Sequence, residues 1–95
     1  MESIDEISRI VNPIAAKHGV NKVYVFGSYA KGTADENSDI DFLVDSGKIE
    51  DYFALGEFYM DLKDALNKEI DIVTTGADKS FLSKIEGDAV LVYSA

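Results

Sequence analysis

The chain has 95 residues, of which 46% are hydrophobic and 28% charged, a composition typical of one small globular domain spanning residues 1–95. It contains no cysteine, which excludes disulfides, thiolate metal sites and a thiol nucleophile. Its net charge of −9 disfavours stable binding to nucleic acid or anionic membranes, and suits a basic protein partner or a metal-requiring site.

The N-terminal segment does not have the pattern of a targeting sequence. MESIDEISRIV carries early acidic residues and a helical pattern, not a basic stretch followed by a continuous apolar run. No apolar stretch approaches the length of a membrane span. Together with the absence of cysteine, this predicts a cytoplasmic protein that does not contact a membrane.

The first predicted element is a helix that begins at Ser3, where Ser3 and Glu6 form a capping-box pattern, and ends at Gly19. Pro13 removes a backbone donor and should kink or split this helix, with Asn12 capping a second short piece. The apolar face consists of residues at helical spacing: Ile4, Ile7, Ile10, Val11, Ile14 and Ala15.

Two strands joined by a turn are predicted next. A short buried strand over residues 23–26 ends at Gly27, Ser28–Lys31 can form a helical turn, and residues 32–38 form a polar loop. The second strand covers residues 39–45 and alternates in polarity. One face carries Ile40, Phe42 and Val44, and the other carries Asp39, Asp41 and Leu43.

Four elements are predicted in the remainder of the chain. They are a long helix over 51–67, a strand over 70–74, a short helix over 79–86 and a strand over 90–93. The apolar stripe of the long helix consists of Tyr52, Leu55, Tyr59, Leu62 and Leu66. Its aromatic residues exceed one stripe, which suggests that part of this helix contacts a partner. The order of elements predicts an α+β sandwich in which helices cover one sheet.

Three aspartates are the candidates for chemistry. Side chains at i and i+2 of a strand share a face with their Cα atoms about 6.5–7 Å apart, so Asp39 and Asp41 should project together. Unpaired carboxylates on a buried sheet are costly, and a divalent cation such as Mg²⁺ removes that cost. Asp71 lies between Ile70 and Ile72 in the same setting, and shares the face if the strands are neighbours. The sequence therefore predicts a two-metal phosphoryl-transfer site.

The Gly27-Ser28 step completes this prediction. A strand that ends in glycine and serine before a helical turn presents backbone amides and a hydroxyl to a phosphate. Glycine allows the backbone to approach the ligand closely, and Ser28 could also serve as the helix N-cap.

Competing motifs do not fit. GSYAKGT lacks the Lys-Ser/Thr step after the second glycine that a P-loop requires. DENSDID begins like a calcium-binding EF-hand loop, but Ile40 occupies the required glycine position and Ser46 the glutamate position. His18, the one histidine, lies just before the helix end, where a capping role is favoured over catalysis.

These residues carry a family resemblance. Gly27-Ser28, ten further residues and then Asp39-x-Asp41 match the signature of the nucleotidyltransferase superfamily that includes the DNA polymerase β palm. FGSYAKGTADENSDIDFLV is more closely similar to the minimal nucleotidyltransferases, or MNT group, and the resemblance extends to the EIDIVT and IEGDAVLVYSA segments. It implies the nucleotidyltransferase fold, with helices covering a small mixed sheet.

The resemblance also implies roles for individual residues. Asp39 and Asp41 would hold two Mg²⁺ ions, and Asp71 would complete the site and help activate an attacking hydroxyl. Ser28 and the Gly27 backbone would cradle the triphosphate of ATP. Lys31 lies where many members have arginine. Its ammonium group could bind a phosphate as a compact charge, without the pair of parallel hydrogen bonds that arginine forms.

The same resemblance implies a biological partner. Proteins of this group often act as antitoxins to a HEPN-domain ribonuclease toxin, onto whose tyrosine they transfer AMP from ATP. Two other functions stay open on the sequence: an antitoxin that neutralises its toxin by binding alone, and a nucleotidyltransferase acting on a small molecule. The last is the weakest prediction, because such enzymes usually carry an added helical domain that binds the acceptor.

Overall fold

The structure is a computed structural model that describes residues 3–47, 49, 51–76 and 79–95, without the side chains of residues 79, 81, 85 and 86. The side chains of Phe81 and Ile85, on the short helix predicted over residues 79–86, therefore lie outside the described residues. The elements, in chain order, are α1 (Ile4–His18), β1 (Lys22–Phe26), α2 (Ser28–Lys31), β2 (Ile40–Asp45), α3 (Tyr52–Leu66), β3 (Ile70–Thr74), α4 (Lys79–Glu86) and β4 (Val90–Ser94).

The four described strands form one mixed sheet in the order β3-β2-β1-β4. β1 pairs antiparallel with both β2 and β4, whereas β2 and β3 are parallel. Parallel neighbours need a crossover connection, and α3 supplies it between β2 and β3. The predicted α+β class, with a small mixed sheet and helices, is confirmed.

The core lies between the sheet and the helices α1 and α3, which contact each other. Alternation along β2 directs Ile40, Phe42 and Val44 into this core, where all three are fully buried. Leu43, on the opposite face, is also buried but lies outside the core cluster. The remaining fully buried core residues come from the helices, the other strands and the turn between α1 and β1: Ile7, Val11, Ala15, Val20, Val23, Val25, Phe58 and Leu62.

α1 begins and ends as predicted, but Pro13 does not divide it. The Ser3 hydroxyl accepts a hydrogen bond from the Glu6 amide at 3.2 Å, and Gly19 ends the helix in the left-handed conformation. The helix is continuous through Pro13 because a proline removes only one helical bond, while Val11 and Ala15 hold this region in the core. Asn12 caps no second piece; its side-chain amide donates to the Val92 carbonyl of β4 at 3.0 Å.

Two predictions about side chains on the helices are wrong. His18 does not cap α1: its Nε2 lies 2.7 Å from the Asp61 carboxylate of α3, and its ring meets the edge of Phe58. Tyr52 is not part of the core stripe, because 91% of it is exposed. The buried face of α3 consists of Phe58, Leu62 and Leu66. No helix among the described residues is both long enough and apolar enough to cross a membrane.

Candidate functional site

The turn between β1 and α2 depends on Gly27. Its backbone has φ 72° and ψ −148°, a region that essentially only glycine adopts. A Cβ atom at this position would lie 2.3 Å from Oδ2 of Asp41, far inside van der Waals contact. Two independent constraints, backbone conformation and the close approach of a carboxylate, therefore require glycine beside β2.

The short helix α2 follows directly. The Gly27 carbonyl accepts from the Lys31 amide at 3.1 Å, and the Ser28 carbonyl accepts from the Thr33 amide at 3.0 Å. Tyr29 is buried and anchors this turn to the molecule. Gly27 occupies the N-cap position and Ser28 is the first helical residue, so the predicted N-cap role of Ser28 is wrong. The serine hydroxyl is therefore not required as a cap for this helix.

Asp41 and Asp71 lie side by side on neighbouring strands. In the parallel pairing of β2 with β3 they are direct partners, and partners in register share a face of the sheet. The two carboxylates therefore lie together on the face opposite the core, as expected if β2 and β3 were neighbours. Asp41 is half-buried and Asp71 is exposed.

Electrostatics make this pair unfavourable in the free protein. Burial raises the pKa of Asp41 above its ordinary value of 3.8, and the negative charges of Asp71 and Asp39 raise it further. A hydrogen bond with the Asp71 side chain acts in the same direction, because it requires a proton on one of the two carboxyl groups. Two adjacent carboxylates whose negative charges repel each other are suited to binding a divalent cation. Such a cation prefers oxygen ligands and would neutralise the repulsion.

Asp39 lies one residue before β2 and is exposed. The loop that leads to it is held by its own hydrogen bonds: Oδ1 of Asp35 accepts from the Asn37 amide at 2.8 Å, and the Ser38 hydroxyl accepts from the Asp35 amide at 2.9 Å. Among the described residues, no three His, Cys, Asp or Glu side chains are grouped closely enough to hold a metal ion. The metal set of Asp39, Asp41 and Asp71 therefore stays a prediction.

Lys31 ends α2, and its ammonium group lies 3.6 Å from the carboxylate of Asp88. Both side chains are about half exposed, so this ion pair contributes little to stability and can open readily. Sequence reasoning missed Asp88, because no local pattern in IEGDAVL indicates a contact with residue 31. The contact is created by the antiparallel pairing of β4 with β1, which returns the chain to this part of the sheet.

The chain is similar to known proteins over most of its length. The family profile described as polymerase beta, nucleotidyltransferase matches residues 9–95 of the chain. A candidate protein adenylyltransferase of Methanocaldococcus jannaschii is 42% identical over 72 residues, which are 76% of this chain and 77% of that protein.

Two solved structures share the fold. A candidate minimal nucleotidyltransferase is 27% identical with a TM-score of 0.80, and the match covers 94% of this chain and 95% of that one. The second is a chain from a complex of a tri-AMPylated Shewanella oneidensis HEPN toxin with an MNT antitoxin. It is 20% identical with a TM-score of 0.69, covers 94% of this chain and 71% of that one, and bears on the fold alone.

Proposed function

The chain belongs to the polymerase β nucleotidyltransferase family, and from this membership we propose that it transfers AMP from ATP to a hydroxyl group of a partner protein. The observation that carries the proposal is the Asp41–Asp71 carboxylate pair beside the Gly27 turn. Carboxylates next to a glycine turn suit phosphoryl transfer, because that chemistry depends on positioning and on charge neutralisation.

The proposed reaction is a single displacement at the α-phosphorus of ATP. The acceptor oxygen forms a bond to the α-phosphorus of ATP, the bond from that phosphorus to the bridging oxygen breaks, and pyrophosphate leaves. The acceptor proton passes to the carboxylate of Asp71. The backbone of Gly27, the hydroxyl of Ser28 and the ammonium group of Lys31 bind the phosphates.

Asp39, Asp41 and Asp71 are the residues that would hold Mg²⁺. When bound, two such ions supply charge neutralisation at the attacking and leaving oxygens. The raised pKa of Asp41 supports this assignment, because repulsion among carboxylates is the condition that a cation relieves. Asp71 is exposed and can be reached by an acceptor from solvent.

A HEPN-type toxin is the proposed acceptor, with one of its tyrosines as the modified residue. The support is that a relative is named as a candidate protein adenylyltransferase, and that a protein of the same fold forms a complex with an AMPylated HEPN toxin. The net charge of −9 also suits a basic protein surface better than an RNA or a membrane. The chain would then act as a cytoplasmic antitoxin.

The test is transfer of label from α-³²P-ATP to the protein encoded by the adjacent gene, with Mg²⁺ present. We expect Asp39→Asn to reduce transfer by about 100-fold or more, as is typical when a group that stabilises developing charge is removed. The matched control is Asp45→Asn, which removes a carboxylate at the far end of β2, whereas Asp39 lies just before the start of that strand. Equal labelling by wild type and Asp39→Asn would contradict the proposal. Neutralisation that persists in Asp39→Asn without ATP would instead favour an antitoxin that acts by binding alone.

A further inference from the structure

The outward side of α3 carries a cluster of exposed apolar residues, here called the α3 patch and defined as Tyr52, Phe53, Gly56 and Met60. Tyr52 is 91% exposed, Phe53 88% and Met60 51%. They account for three of the four large hydrophobic side chains found exposed in the described part of the chain. Single exposed apolar residues are normal, but a group at helical spacing on one face marks an interaction surface.

Gly56 gives independent evidence for contact at this surface. Glycine inside a helix is unfavourable relative to alanine, so a packing or conformational reason is expected for it. A Cβ added at Gly56 would meet no atom within 4 Å, and the residue does not have a positive φ. Nothing within the described residues requires glycine here, and the open space at this position leaves room for the close approach of another backbone.

The patch is continuous with the candidate site. Tyr52 and Gly56 line a groove along the edge strand β3, and Asp71 lines the same groove together with Ile70 and Ile72. A protein that covers the patch would therefore reach the edge strand β3, which carries the aspartate proposed to accept the proton. We propose that the α3 patch is the docking surface for the acceptor protein, and that a helix of the acceptor packs across Gly56. This proposal rests on the proposed function.

The charges around the patch identify the chemistry of the acceptor surface. Glu57 and Asp61 flank the patch, while the nearby Lys17 lies 3.5 Å from Asp61 and is already paired with it. Lys17 offsets one of these two negative charges, so the rim keeps one net negative charge on a chain whose net charge is −9. A second copy would bring two acidic rims together, and the phosphates of a nucleotide would be repelled. An acceptor helix with apolar residues at its centre and basic residues at its margins is complementary.

The experiment measures the affinity between this chain and the protein encoded by the adjacent gene by calorimetry, without ATP. Gly56→Leu fills the gap at the centre of the patch, and the Tyr52→Ala/Phe53→Ala double variant removes its aromatic side chains. The control is Ala65→Leu, which introduces the same side chain at an exposed position of α3 outside the patch. We expect both patch variants to weaken binding at least about 10-fold, as is usual for central interface residues. Ala65→Leu should bind like the wild type.

Additional measurements separate docking from folding and from catalysis. Gly56→Ala should raise the Tm of the free chain by roughly 2–8 °C, because the helix gains a better helix former. Asp39→Asn should bind the acceptor like the wild type. A variant that binds the acceptor but does not transfer the nucleotide therefore tests the proposed function and leaves the docking proposal unaffected. In the transfer assay, patch variants should raise KM for the acceptor and leave KM for ATP unchanged.

Three results would overturn the docking proposal. The first is equal binding by the wild type and both patch variants. The second is no binding of the acceptor by the wild-type chain. The third is self-association of the wild type in sedimentation that Gly56→Leu abolishes, because the patch would then be an interface between copies.

Discussion

Replacement of Gly27 by alanine tests the link between the β1–α2 turn and the carboxylates. The φ 72°, ψ −148° conformation costs a residue with a Cβ about 1–3 kcal/mol. The new Cβ would also lie 2.3 Å from Oδ2 of Asp41, so that carboxylate must turn away. Coupling between residues in contact is typically about 0.5–3 kcal/mol. The combined loss of roughly 1.5–6 kcal/mol should lower Tm by roughly 6–48 °C.

Gly32 supplies the matched control. It also has a positive φ, 75°, but a Cβ there would meet no atom within 4 Å. Gly32→Ala should therefore cost only the left-handed backbone conformation, about 1–2 kcal/mol. Nucleotide transfer should fall more than about 10-fold in Gly27→Ala, because misplacement of one catalytic group is costly, and much less in Gly32→Ala.

A double-mutant cycle isolates the contact with Asp41. In an Asp41→Ala background the nearest remaining atom to the new side chain is Cβ of residue 41, 3.5 Å away, which is ordinary contact. Gly27→Ala should therefore cost less in this background, by the coupling of about 0.5–3 kcal/mol. Urea denaturation of the four proteins measures the difference. If Gly27→Ala costs the same with and without the Asp41 side chain, the close approach does not explain the glycine.

Three further outcomes are expected. His18 lowers the pKa of Asp61 below its ordinary value of 3.8 by hydrogen bonding, with Lys17 acting in the same direction. The lowered pKa means that folding favours the charged form of Asp61. This stabilisation is fully present above 3.8 and is lost as the pH falls through the folded-state pKa. The stability curves of wild type and Asp61→Asn should therefore differ at neutral pH and converge below 3.8, and parallel curves would refute the contact. Lys31→Ala should raise KM for ATP several-fold, whereas Lys31→Arg should retain binding because a cation remains. Asp88→Asn should change stability by less than about 1 kcal/mol, since exposed ion pairs contribute little, and a larger loss would show that the pair is structural.

Local patterns predicted most of the elements. The capping residues of α1, the strand before Gly27 and the helix over residues 51–67 were recognisable because each depends on neighbours within a few positions. Asp51 and Asn67 are the N-cap and C-cap of α3, so even these bounds are local properties. The Gly-Ser and Asp-x-Asp motif likewise depends on spacing within one segment, and its family assignment is confirmed.

Properties that depend on contacts between distant segments were decided by the tertiary structure. Alternation assigned Asp41 and Asp71 to a face of their strands, but only the parallel register of β2 with β3 makes them direct partners. The helical pattern of α3 marked Tyr52 as core, yet its side chain is 91% exposed, because burial depends on which other elements pack against each turn of a helix. Pro13 was expected to kink or split a helix that core packing keeps continuous. The local sequence determines which conformation each segment favours. Strand register and side-chain exposure depend on the free energy of contacts between segments, which form only when the chain folds.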